Sequence, residues 1–166
     1  MRLNLGEILE IPGGSVPFSC QLDAERLMLP SVSAFEGPVT AAGTVCNSAG
    51  ALTLYGAIHA DMTRICDRCM SPYRQTKDLP VELHLSADPD SGDDPEMFPI
   101  EPDGTLELSD ALETSFILDM DAKSLCREDC LGLCERCGAN LNDGPCTCRR
   151  QTDPRLAVLG QLLDKE

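Results

Sequence analysis

Residues 39–69 read VTAAGTVCNSAGALTLYGAIHADMTRICDRC, and this stretch decides the fold. Two β-prone runs, Val39 to Cys46 and Ala51 to Ile65, flank Asn47-Ser48-Ala49-Gly50, which has the composition of a four-residue hairpin loop. In the second run Leu52, Leu54, Gly56, Ile58, Ala60 and Met62 share one face, and Thr53, Tyr55, His59 and Asp61 stand opposite. The strand runs directly into Cys66-Asp67-Arg68-Cys69, which puts a C-x2-C turn at its end. Beyond Ser71-Pro72-Tyr73, the segment Gln75 to Ala87 returns as a strand with Val81, Leu83 and Leu85 inward and Glu82, His84 and Ser86 outward. A three-stranded antiparallel meander is predicted. With no Trp and 4% aromatics, its core must be built from Leu, Val, Ile, Ala and Met.

Working outward, Leu3 and Leu5 suggest a short strand, Pro12-Gly13-Gly14 breaks the chain, and Val16-Phe18-Cys20-Leu22 alternates as a second strand. Residues 88–104 are rich in Asp, Pro and Gly and read as a solvated acidic loop. Ser109-Asp110 opens a short helix with Leu112, Phe116 and Leu118 available for burial. Asp153-Pro154 opens another, and Leu156, Leu159 and Leu163 give it one apolar face for docking on the body. The expected class is α+β: an antiparallel β meander or partly closed barrel with a cysteine-rich, zinc-binding C-terminal segment and a terminal helix. The expected divisions are a β-rich body over 1–120, a cysteine-rich segment over 121–150 and an amphipathic helix over 151–166.

The chain has ten cysteines, and six of them fall between Cys126 and Cys148 as C126-x3-C130-x3-C134-x2-C137-x8-C146-x-C148. Residues 1–18 show no charged, apolar and small-residue signal pattern, so a reducing cytoplasm is expected, where such spacing reads as metal ligation rather than disulfides. The candidate ligands are Cys66, Cys69, Cys126, Cys130, Cys134, Cys137, Cys146 and Cys148. One partition gives two zinc ions, with Cys134, Cys137, Cys146 and Cys148 closing a local site and Cys126 and Cys130 completing the other with Cys66 and Cys69. The rival partition gives one zinc drawn from the six clustered cysteines. Cys20 and Cys46 read as small buried hydrophobes.

A formal charge of −15 disfavours general nucleic-acid binding, DNA included, and no membrane-spanning run is present. Ten of the thirteen Lys and Arg residues nevertheless lie beside the cysteines: Arg64, Arg68, Arg74 and Lys77, then Lys123, Arg127, Arg136, Arg149, Arg150 and Arg155. Compensation of thiolate charge is the first reading and an RNA-contacting patch the second. His59 and His84 read as surface residues, and no nucleotide-binding or hydrolase motif occurs. An all-sulfur ligand set leaves no open position for catalysis, so the expected zinc is structural and the protein not an enzyme. A dithiol redox or metal-dependent enzyme using the C-x2-C pairs is the alternative.

Cys66-Asp67-Arg68-Cys69-Met70, the run from Leu125 to Asn142 and Asp153-Pro154-Arg155-Leu156-Ala157-Val158-Leu159 together resemble the YceD family of large ribosomal RNA subunit accumulation proteins. The resemblance extends to the N-terminal Pro-Gly-Gly-Ser and the hairpin. It implies a cytoplasmic factor supporting synthesis, processing or stability of large-subunit (23S) ribosomal RNA and ribosome assembly, in a family to which no catalytic activity is securely assigned. Some relatives keep the first cysteine pair and lose the Cys134 to Cys148 cluster, which makes the latter a separable site. The chain departs at Met120-Asp121 and Ser124, where relatives often carry Leu-Pro and a further Pro. Acidity and family together point to a basic ribosomal protein or an rRNA-processing factor as partner, with direct ribosomal RNA contact the second possibility.

Overall fold

The computed structural model describes residues 1–87 and 97–148. The helix expected over 151–166, the larger part of the acidic loop, and Arg149, Arg150 and Arg155 lie outside these residues. In chain order the elements are β1 (Arg2–Asn4), α1 (Gly6–Leu9), β2 (Ser15–Gln21), β3 (Val32–Phe35), β4 (Thr40–Ser48), β5 (Ala51–Ile65), β6 (Pro72–Ser86), β7 (Met97–Pro99), β8 (Thr105–Glu107) and α2 (Leu108–Leu118).

The hairpin forms, with a tighter connection than its composition suggested. Asn47 and Ser48 continue the ladder opposite Leu52 and Ala51, leaving only Ala49 and Gly50 to turn the chain at φ of 53° and 98°. Two-residue turns with both φ positive match the right-handed twist of the strands they join. Asn47 is buried and fixes the turn: its Oδ1 accepts from the Gly50 N–H at 2.8 Å, while its Nδ2 donates to the carbonyls of Ile8 and Leu9 at 2.6 and 3.0 Å. The short α1, absent from the sequence reading, is thereby tied to the hairpin.

β5 is 15 residues long, which lets it organise the sheet. It pairs with β6 from Leu52 to Ile65, while its other edge takes β4 and then, from Met62 to Arg64, β3. β2 pairs outside β4, so the meander grows to a six-stranded sheet. Two expectations are corrected here. The sheet is open rather than barrel-like, ending at β2 and β7, and it is not wholly antiparallel, because β7 runs parallel to the end of β6. β7 also falls within the span read as loop 88–104. β1 and β8 form a separate two-stranded ribbon.

The inner face of the sheet follows the alternation in the sequence: Leu52, Leu54, Ile58, Ala60 and Met62 of β5 are buried with Val81 and Leu85 of β6. Gly43 and Gly56 face each other in the ladder, and Phe18 of β2 lies over both. A Cβ on Gly43 would stand 2.1 Å from the Tyr55 carbonyl oxygen and 2.8 Å from Phe18 Cζ, so the two glycines make room for the aromatic ring. α2 buries Leu108, Ala111, Leu112 and Phe116, the last packing against Phe35 with ring centroids 6.4 Å apart. Leu118, expected inside, is 79% exposed. At about 100° per residue it points roughly 120° away from the face set by Leu108, Leu112 and Phe116.

Candidate metal centres

The structure groups the eight thiols as two fours. Sγ atoms of Cys66, Cys69, Cys126 and Cys130 lie within 4.8 Å of one another, as do those of Cys134, Cys137, Cys146 and Cys148. In the first group Cys66 and Cys130 stand 3.8 Å apart and Cys69 and Cys126 3.7 Å apart. Four sulfurs placed tetrahedrally at about 2.3 Å from one ion are separated by about 3.8 Å, so these contacts suit a single metal. This group joins the end of β5 to a segment nearly sixty residues further on, and Cys66, Cys69 and Cys130 are buried. The second group closes locally and is more open, with Cys137 exposed.

Both C-x2-C pairs are built on the same turn. The Met70 N–H donates to the Cys66 carbonyl and the Gly138 N–H to the Cys134 carbonyl, each at 2.9 Å. The Cys66 N–H donates to the Ser71 carbonyl at 3.0 Å and the Cys134 N–H to the Ala139 carbonyl at 2.8 Å. Met70 and Gly138 occupy matching positions with φ of 58° and 71°. The left-handed conformation that glycine takes freely is thus imposed on Met70 in the first turn.

Within each group the thiols are pushed in opposite directions. Burial pushes the Cys66 thiol up, but the backbone N–H groups of Cys126, Cys69 and Arg68 outweigh it and hold Cys66 at about 6. Cys69 is lowered, first by the Ser71 hydroxyl. Cys126 goes the other way, to about 12, through burial and then through Cys66, Cys69 and Cys130. In the second group the N–H groups of Cys137 and Arg136 lower Cys134 to about 6, while Cys137 and then burial raise Cys148 to about 12. Thiolates gathered this closely repel one another, and a dication held between them would supply the charge that lets all four ionise.

Several residues support the clusters through contacts that the sequence did not assign to them. Asp67 binds the segment leading to Cys126 twice: its N–H donates to the Ser124 carbonyl at 2.7 Å and its Oδ2 accepts the Ser124 N–H at 2.6 Å. Ser124 is buried and its hydroxyl meets the Tyr73 hydroxyl at 2.9 Å. A proline in place of Ser124 would lack the N–H that Asp67 accepts. Arg68 donates to the carbonyls of Glu128 and Cys130, both at 3.0 Å. Asn142 Nδ2 donates to Cys130 Sγ at 3.4 Å. Only the clustering of polar residues after Cys137 could have hinted at the last contact.

Arg64 requires a correction. It was read as part of a charged flank of the first cysteine pair, yet it is 1% exposed, with Nη1 donating to Gln75 Oε1 at 2.9 Å and to Asp121 Oδ2 at 3.2 Å, and Nη2 to Ser31 Oγ at 3.2 Å. Facing inward in β5, it is withdrawn from any phosphate. His59 and His84 do lie on the outer face, His59 against Asp78 at 2.6 Å. Cys20 and Cys46 are half-buried and belong to neither group.

An open β-sheet with two four-sulfur clusters, one stitching the sheet to the following segment and one closed on itself, defines a class of cysteine-rich β proteins. The chain belongs to the family described as large ribosomal RNA subunit accumulation protein YceD, whose match covers residues 54–163 and so includes all eight thiols. The match begins in β5, leaving the N-terminal Pro12-Gly13-Gly14-Ser15 outside it. The chain is also 33% identical over 115 residues to uncharacterized proteins of Mycobacterium bovis and Mycobacterium tuberculosis, covering 67% of this chain and 55% of theirs. It therefore spans about half the length of these relatives. No solved structure matches. No helix among the described residues is long and apolar enough to cross a membrane.

Proposed function

We propose that the protein is a non-enzymatic, two-zinc factor that supports synthesis, processing or stability of large-subunit ribosomal RNA by holding a basic ribosomal protein or processing factor. The observation that carries the metal part is the sorting of eight thiols into two all-sulfur fours. Such sets suit zinc or iron and leave no coordination position for substrate, which makes the metal a structural element. A dithiol redox centre needs two cycling sulfurs, whereas each C-x2-C pair here has two further sulfurs at ligand distance. Elemental analysis of chelator-free protein should give two zinc ions per chain; less than about half an equivalent, or iron instead, overturns this part.

Family membership points the function toward large-subunit ribosomal RNA, and a charge of −15 points the contact toward a cationic protein. Acids also line the outer face of the sheet, where exposed Glu82 pairs with Tyr55 and exposed Asp61 and Asp78 flank His59. Affinity capture from cells, with and without RNase and at stepped salt, tests the partner. The expected result is a basic protein retained after RNase and released by salt. Submicromolar binding of purified chain to large-subunit RNA, lost when Arg149 and Arg150 are changed to Glu, would overturn the indirect mechanism in favour of direct contact.

A further inference from the structure

We infer that the two four-cysteine sites are energetically coupled through Asn142, so that metal in the second site strengthens metal binding in the first; the inference rests on both sites taking metal. Asn142 lies between Cys137 and Cys146, two sulfurs of the second site, yet its side chain serves the first. Its Nδ2 donates to Cys130 Sγ at 3.4 Å. The amide orientation is fixed, because Oδ1 accepts from the Leu131 N–H at 2.8 Å and from Arg127 Nη2 at 2.7 Å. Asn140 Oδ1 in turn accepts from the Nδ2 and backbone N–H of Asn142, at 2.7 and 3.1 Å. One loop side chain therefore grips both the Cys130 sulfur and the residues beside it.

The backbone makes a second connection. Leu133 N–H donates to the Arg68 carbonyl inside the first turn at 3.1 Å, and Leu141 N–H to the Gly132 carbonyl at 2.9 Å. Asn140 Nδ2 reaches Ser71 Oγ at 3.4 Å. Gly132 sits at φ 75°, and a Cβ there would stand 3.0 Å from the Arg68 carbonyl oxygen, so the two segments meet at backbone contact. Metal held at Cys137 and Cys146 closes the loop that carries Asn140 and Asn142, removing conformational freedom that would otherwise be lost when Asn142 engages Cys130. A hydrogen bond to a ligating sulfur orients it, and loss of such a partner commonly costs 10–100-fold in metal affinity. The coupling acts equally in both directions.

The test uses the full chain, with zinc affinities from chelator competition and cadmium-113 resonances reporting each site separately, assigned with Cys66→Ser and Cys137→Ser. Asn142→Ala removes no ligand. It is expected to weaken zinc binding at the first site about tenfold and shift that site's cadmium resonance, while the second site keeps its metal. Cys137→Ser should weaken the first site to a similar degree, and combining it with Asn142→Ala should add little. If both metals are present in the wild type but Asn142→Ala leaves the first site's affinity and resonance unchanged, the coupling is overturned and the metal reading stands. Fully additive losses in the double variant overturn it too. A wild type that takes up neither metal overturns both.

Discussion

At the residue scale, two basic side chains on opposite faces of β5 show how position decides what an ionisable group contributes. Arg64 faces inward among Ser31, Gln75 and Asp121, while Asp121 itself is largely exposed. Removing the buried guanidinium takes away three hydrogen bonds and leaves the half-buried Ser31 hydroxyl and Gln75 amide without that partner, whereas removing the exposed Asp121 charge leaves Arg64 its other two contacts. Arg64→Met is expected to cost about 2 kcal/mol in urea unfolding and Asp121→Asn less than about 1 kcal/mol; equal costs would contradict this asymmetry. His59 faces outward, and its hydrogen bond to Asp78, followed by the charges of Asp78 and Asp61, raises its pKa above 6.5. Because the folded value is the higher one, this contribution is complete below the unfolded pKa and is lost as pH rises through the folded pKa. An NMR titration should place the His59 midpoint above 6.5 in the wild type and lower it in Asp78→Asn; a midpoint unmoved by the variant would remove the argument.

At the element scale, the paired C-x2-C turns and the Phe18–Gly43–Gly56 row each rest on one conformational requirement. Met70 is 61% exposed and gives up little packing, so Met70→Gly should relieve its left-handed strain and raise stability by up to about 1 kcal/mol, while Gly138→Ala should lower it by about the same amount. Gly43→Ala places a methyl group against backbone and should cost about 1–3 kcal/mol. Thermal unfolding of the three variants checks the signs, and a stabilising Gly43→Ala would contradict the packing. The long strands were legible because Leu52, Leu54, Ile58, Ala60 and Met62 keep one face, although Thr53, read as facing outward, is buried between Leu52 and Leu54, and the cysteine spacing gave the thiols that the structure sorts into fours. β3 was not legible: only four residues long, it is held by pairing with Met62, Thr63 and Arg64, a long-range contact with no local signature. β7 escaped notice because three residues in an acidic, proline-rich span carry no period. The supporting contacts of Ser124 and Asn142 escaped for the same reason as β3, since each meets its partner across a chain separation that no spacing rule encodes.

At the scale of the whole molecule, the two sulfur clusters do different mechanical work. Cys69 and Cys126 are separated by 57 positions, so a metal joining them closes a loop that includes all of β6 and α2 and ties the sheet to the segment behind it. Cys137 and Cys146 are nine positions apart and close only their own turn. Since loop-closure entropy grows as the logarithm of length, the long crosslink should contribute about 1.6 kcal/mol more than the short one on this ground alone. Burial widens the gap: Cys66, Cys69 and Cys130 form a small core with Tyr73, Leu125 and Leu133 packed against it, whereas Cys137 is exposed. Coupling through Asn142 narrows it, because emptying the second site also loosens the first, but it transmits only part of the first site's affinity. Cys66→Ser is therefore expected to lower the unfolding temperature more than Cys137→Ser at matched protein and zinc concentrations. Excess chelator should bring the wild type at least to the level of Cys66→Ser. Thermal unfolding of the two variants side by side decides the matter, and an equal or larger loss in Cys137→Ser would mean that the local turn, rather than the long crosslink, holds the molecule together.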